Sequence, residues 1–320
     1  MRTTCWELTG VRMQRAELTL ALAVLAVVAV GGCSDTGSSP DSAGSLPVAA
    51  SIFPLADLAR QVGGPDVEVA TLLPPGTTPH GFEPKKEQAE TLAASRLLVL
   101  VGLGMDSWAA ESARAAAADF RVVRFADLVA EEPDHPPGHG HADHQHVGDP
   151  HLWLDPVRTK RFVRALAEVL AELDPDHASG YRGRAASYAE KLDELDADYR
   201  AMAEKADRKA FVSFHPAFSY LAERYGLRQE TIVGPHGHAR GAADMERVIE
   251  FVNQEGIDVI FAEPQFPEDK LRWLREQTGA EVGRLDPLGN PSVDGYDSYL
   301  AMMRSNLRAL STALTEGTDE

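Results

Sequence analysis

From Pro47 onward, short apolar runs alternate with stretches of helical period. Val48 to Ile52 reads as a strand and Phe53 to Val62 as a helix. Val67 to Leu73 reads as a strand that stops at Pro74-Pro75-Gly76. A helix over Lys85 to Ala94, a strand over Leu97 to Val101, a helix over Ser107 to Ala118 and a strand over Arg121 to Phe125 follow. Strands separated by helices predict a parallel sheet covered on both faces. The pattern fails at 133–148, which is crowded with Pro, Gly and His and has no apolar period, and is read as a loop. Pro156 to Leu173 is helical again.

A single apolar stripe then runs through Tyr181, Ala185, Tyr188, Leu192, Leu195, Tyr199, Met202 and Ala206, with spacings of four and three. One helix over this span is about 39 Å long, enough to bridge two lobes. A second alternating block follows. It has strands at Phe211 to Phe214, Glu230 to Val233, Ile257 to Ala262 and Glu281 to Leu285, and helices at Ala217 to Tyr225, Ala243 to Gln254, Glu268 to Thr278 and Tyr296 to Leu314. The expected fold is therefore α/β: two similar lobes, each a parallel sheet flanked by helices, joined by one long helix. The expected boundaries are 47–174 for the first lobe, 175–207 for the linking helix and 208–320 for the second lobe.

The first residues carry a different signal. Arg12 and Arg15 precede an almost purely apolar run from Leu18 to Val30, and Val30-Gly31-Gly32-Cys33 follows. Positive charge, a short apolar run and small residues, in that order, mark a secretory signal over 1–32. The ending resembles a bacterial lipobox, which implies lipidation of Cys33 and a polar tether over 33–46. The signal is complete without residues 1–12, so Met13 is a candidate start.

Composition narrows the chemistry. The 320-residue chain carries a net charge of -18, which offers no footprint for nucleic acid. Its two cysteines, Cys5 and Cys33, both lie near the N-terminus, so the lobes contain neither a thiolate zinc site nor a cysteine nucleophile. Four other residues stand out by position. His80 lies just past the 67–73 strand, and His151 just past the 133–148 loop. His215 and Asp286 each directly follow a strand of the second block. Ligands of open α/β sheets bind beyond the carboxyl ends of the strands. A site shared between facing lobes follows, and three imidazoles with a carboxylate suit zinc. The residue types alone leave manganese and nickel open.

Four segments together resemble the metal-binding solute-binding proteins of zinc and manganese ABC importers: Pro74 to Pro84, His151 to Pro156, Phe214 to Leu221 and Leu285 to Gly289. The resemblance runs from about Pro47 to the end of the chain. It implies two lobes on one rigid backbone helix and makes His80, His151, His215 and Asp286 the metal ligands. The manganese-selective members tend to carry glutamate at the third position, so His215 favours zinc. Zinc-specific members often carry a His-rich loop before the second ligand. His135, His139, His141, His144 and His146 are then accessory, exchangeable zinc ligands. The resemblance also implies an extracytoplasmic lipoprotein, monomeric and attached to the membrane through its lipid, that delivers metal to a permease and its ATPase partner.

One departure is Pro235 to Gly241, which replaces the family's Glu-Pro-Ser-like turn and brings His236 and His238. Glu263 is read as a fifth oxygen ligand or as an acceptor for an imidazole N–H, and Glu83 as a cap for the helix near Lys85. Two alternatives remain. One is a manganese or mixed-metal binding protein. The other is a secreted zinc hydrolase, against which the chain shows neither His-Glu-x-x-His nor Gly-x-Ser-x-Gly.

Overall fold

The computed structural model describes residues 44–116, 120–130, 148–234, 241–266 and 269–315. The signal segment, Cys33, most of the 133–148 loop, His236 and His238 lie outside them.

The first lobe holds β1 (Leu46–Ala50), α1 (Phe53–Gly63), β2 (Val67–Thr71), α2 (Lys86–Ala94), β3 (Leu97–Leu100), α3 (Ser107–Ala116), β4 (Arg121–Arg124) and α4 (Phe125–Val129). The sheet order is β2-β1-β3-β4, all parallel. Helix α5 (Pro156–Leu173) follows, and then α6 (Ala178–Lys205). The second lobe holds β5 (Ala210–Ser213), α7 (Ser219–Arg224), β6 (Arg228–Thr231), α8 (Ala242–Glu255), β7 (Val259–Ala262), α9 (Asp269–Thr278), β8 (Glu281–Arg284) and α10 (Tyr299–Leu314). Its order, β6-β5-β7-β8, repeats that of the first lobe strand for strand.

Central strands carry the apolar runs because both of their faces are covered. β3 and β5 are buried at every position, whereas the edge strand β6 keeps Arg228 exposed. The stripe on α6 is its buried face: Tyr181, Ala185, Tyr188, Leu192, Leu195, Tyr199 and Met202 all lie inside. Its N-terminal half is clasped to the first lobe by Arg184, which donates to the Val62 carbonyl at 2.8 Å and pairs with Asp66 at 2.8 Å. Its C-terminal half meets α10 and the second lobe. Tyr199 Oη donates to the Met303 carbonyl at 2.8 Å, and the Tyr199 ring stacks on Tyr225 with centroids 5.1 Å apart. One apolar core runs from the first sheet through α5, α6 and α10 into Phe211, Phe261 and Leu285 of the second lobe, so the joint between lobes is packed side chains.

Several boundaries differ from expectation. Leu46, the last residue of the expected tether, already belongs to β1. The strand placed at 230–233 runs over 228–231; past its end the Ile232 and Val233 N–H groups still donate to the Ser213 and Phe214 carbonyls, at 3.1 and 2.9 Å, but the regular ladder is over. Phe125 opens a helix rather than closing a strand. The last helix starts at Tyr299, where the Ser298 hydroxyl accepts from the Ala301 N–H at 3.2 Å. Glu83 does not cap α2; the Gln88 side-chain Oε1, from within that helix, accepts from the Lys85 N–H at 2.9 Å.

Candidate metal centre

The carboxyl ends of the strands converge on one small space. His80 sits in the loop after β2. His151 precedes a single 3-10 turn, residues 152–154, which leads into α5. That helix starts where it does because Asp155 accepts from the Val157 N–H at 2.9 Å and Pro156 fills its first position. His215 stands two residues past β5 and Glu263 one residue past β7. These two strands flank the point where the chain reverses direction across the second sheet.

One nitrogen from each of His80, His151 and His215 lies within 4.8 Å of the other two. The Nε2 atoms of His151 and His215 are 3.3 Å apart. Carboxylates hold the far side of both rings. His151 Nδ1 lies 2.7 Å from Asp149 Oδ1, and His215 Nδ1 lies 2.6 Å from Glu263 Oε1. A carboxylate can only accept, so each Nδ1 carries the proton and each Nε2 presents its lone pair to the centre. Burial lowers the pKa of His151 and the Asp149 hydrogen bond opposes that shift; the neutral ring is the ligating form. Trp153 walls the His151 side, with ring centroids 5.3 Å apart, and Phe266 walls the His215 side at 5.6 Å. The space left is about 10 Å³, room for one water-sized body.

Asp286 is not part of this cluster. Its carboxylate is buried beside it and is occupied by Gln265, Arg284 and two backbone N–H groups. Gly289, which donates one of these, has φ +68, and a Cβ there would lie 2.9 Å from the Tyr296 carbonyl, so only glycine closes this turn. Glu263 is likewise outside the nitrogen cluster and acts on it through His215. The sequence reading missed Asp149, although the Asp-x-His spacing was available as a signal. It also missed Gln265 and Arg284, whose contacts with Asp286 no spacing announces.

Replacing Glu263 by Gln should weaken metal binding by about 10–100-fold, the usual cost of losing an outer partner of a ligating imidazole. A competition titration that returned unchanged affinity would show that Glu263 does not tune the ring.

The family model for the periplasmic component A of the zinc-uptake complex matches residues 48–313. The zinc-binding lipoprotein AdcA of Streptococcus pneumoniae R6 is 29% identical over 306 residues, covering 92% of this chain and 60% of that protein. The high-affinity zinc uptake system protein ZnuA of Bacillus subtilis 168 is 29% identical over 305 residues, covering 92% of this chain and 96% of that protein. The chain thus spans about three fifths of the streptococcal relative and nearly all of the Bacillus one. Among solved structures, a crystal structure of ZnuA superimposes with a TM-score of 0.74 at 27% identity, covering 85% of this chain and all of that one. The periplasmic zinc-binding protein TroA of Treponema pallidum gives a TM-score of 0.74 at 25% identity over the same shares.

Proposed function

Because the chain belongs to the family of periplasmic zinc-uptake component A proteins, we propose that it is the extracytoplasmic component of an ABC importer that captures Zn²⁺ and delivers it to a permease and its ATPase partner. The observation that carries this reading is the convergence of three imidazole nitrogens from both lobes, two of them with their protons held outward by carboxylates. Zinc binds such nitrogen sets tetrahedrally, and manganese stands below it in affinity for them. His80, His151 and His215 receive the ion, and Asp286 joins as the fourth ligand once one of its carboxylate oxygens leaves its present partner. The space of about 10 Å³ takes an ion but not an organic substrate, which speaks against a hydrolase. The family's members are transport components.

Calorimetric titration of the metal-free protein with Zn²⁺ and with Mn²⁺ tests this. One tight zinc site per chain and markedly weaker manganese binding is the expected result. Equal or tighter manganese binding would support the manganese or mixed-metal alternative.

The protein acts as a monomer, held at the membrane by a lipid on Cys33. The histidines at 135, 139, 141, 144 and 146 offer weak, exchangeable zinc sites beside the main one. Among the described residues no helix is long and apolar enough to cross a membrane. Two or three acyl chains give stable attachment where a single chain is marginal. Cys33→Ser should therefore move the processed protein to the soluble fraction. Its retention on membranes at moderate salt, without the transporter, would place the anchor elsewhere.

A further inference from the structure

The two carboxylate oxygens of Asp286 are held in unlike ways. Oδ1 accepts three hydrogen bonds: from the Leu288 N–H at 3.0 Å, the Gly289 N–H at 2.9 Å and the Gln265 amide at 3.0 Å. Oδ2 accepts from the Arg284 guanidinium, at 2.8 Å. The turn that Oδ1 closes therefore pins it, while Oδ2 is held from a side chain that is itself 40% exposed. The backbone of Asp286 is fixed as well. Its N–H donates to Asn306 Oδ1 at 2.9 Å, and its carbonyl accepts from Asn306 Nδ2 at 2.8 Å. The side chain can thus exchange the partner of one oxygen without any change in the fold.

The surroundings offer Arg284 and the carboxylate somewhere to go. The guanidinium lies over the Tyr296 ring, 4.0 Å from its centroid, a favourable seat for a cation that has released its carboxylate. On the other side, Gln265, Pro287 and Leu288 all line the imidazole cavity, so Asp286 is flanked by the walls of the metal centre. The carboxylate is 1% exposed and next to the cavity, yet it faces a cation of the chain.

We propose that Arg284 competes with the captured metal for the Asp286 carboxylate and so sets how readily the ion is released. It holds Oδ2 of Asp286 in the metal-free protein, yields it when a divalent cation settles on the three imidazoles, and takes it back as the ion leaves. A divalent ion attracts the carboxylate about twice as strongly as a monovalent one at equal distance, so the exchange runs forward on loading. The broken Arg284 pair offsets part of that gain, so the loaded state is held less tightly than four free ligands would hold it. A carrier needs that property, because it must give up its cargo. The inference rests on the metal-capture reading above.

The test uses the whole protein with Zn²⁺ as the probe. Arg284→Met removes the charge and keeps much of the volume, and Arg284→Lys keeps the charge. Zinc affinity is measured by competition, and release is followed by transfer to a chromophoric chelator. Arg284→Met should tighten zinc about tenfold, equivalent to ~1.4 kcal/mol, chiefly through slower release, while Arg284→Lys stays near the original rate. In an Asp286→Asn background the same Arg284→Met change should have little effect, because the two residues act as a coupled pair. Release at the original rate in Arg284→Met, or an equal gain with and without the Asp286 carboxylate, would overturn the proposal. Melting curves of the metal-free variants check folding, and Arg284→Gln, with the same expected direction, replaces Met if that variant does not fold. Failure of the capture reading would show separately, as absence of tight zinc binding in the unaltered protein.

Discussion

Replacing His215 by Ala removes one of three converging nitrogens and should abolish the tight zinc site. The expected loss is well beyond the roughly 10–100-fold that an outer partner contributes, because a direct bond to the metal is gone. His215 is buried, and its backbone N–H, which donates to Glu263 Oε1 at 3.0 Å, stays in the variant; melting curves of the metal-free protein check that the fold survives the loss of the ring. Competition titration against a chelator of known affinity measures the effect. Affinity equal to that of the unaltered protein would take His215 out of the site. The contrast with Glu263→Gln is informative, since both act on the same ring and only one removes the donor atom.

Trp153→Ala is expected to be the most destabilising single change near the site. Trp153 is fully buried, packs against His151, and donates from Nε1 to the Pro287 carbonyl of the other lobe at 2.7 Å. Its own carbonyl accepts from the Tyr299 hydroxyl at 2.7 Å. One residue thus ties α10, the metal loop and the Asp286 turn together. Truncation to Ala should cost about 3–5 kcal/mol through the cavity it leaves. Trp153→Phe keeps most of the packing but strands the Pro287 carbonyl, for about 1–3 kcal/mol. Denaturant unfolding of the metal-free protein measures both. A loss below about 1 kcal/mol for Trp153→Ala would mean that the site relaxes and that the tie does not hold the lobes.

What the sequence made legible followed its strongest periodicities. The stripe from Tyr181 to Met202 could only be one helix, because spacings of four and three sustained over so many residues fit no strand. The central strands were legible because burial on both faces forces continuous apolar runs, as in β3 and β5. Strand β6 was placed two residues late for the opposite reason: Arg228, Gln229 and Glu230 lie at a sheet edge, where backbone pairing needs no apolar side chains, while the apolar Ile232 and Val233 that mark the run lie just past its end and pack into the core. His80 and His215 were legible because each follows a strand, where open sheets present ligands, and His151 through the motif His151 to Pro156. The state of Asp286 could not be read. Its ion pair with Arg284 depends on side-chain direction at a strand end, and its link to Gln265 crosses from one strand end to another. The tautomers of His151 and His215 were hidden in the same way, since Glu263 lies 48 residues from the ring it orients.

Zinc capture as proposed requires imidazoles from both lobes to share one ion. X-ray absorption at the zinc edge, on protein loaded with one equivalent, reads that shell directly. Three imidazole nitrogens at about 2.0–2.1 Å and one oxygen at about 2.0–2.2 Å are expected. The imidazole scattering should fall by one ligand in each of the His80, His151 and His215 alanine variants. An oxygen-dominated shell with one imidazole or none, unchanged by these substitutions, would contradict it.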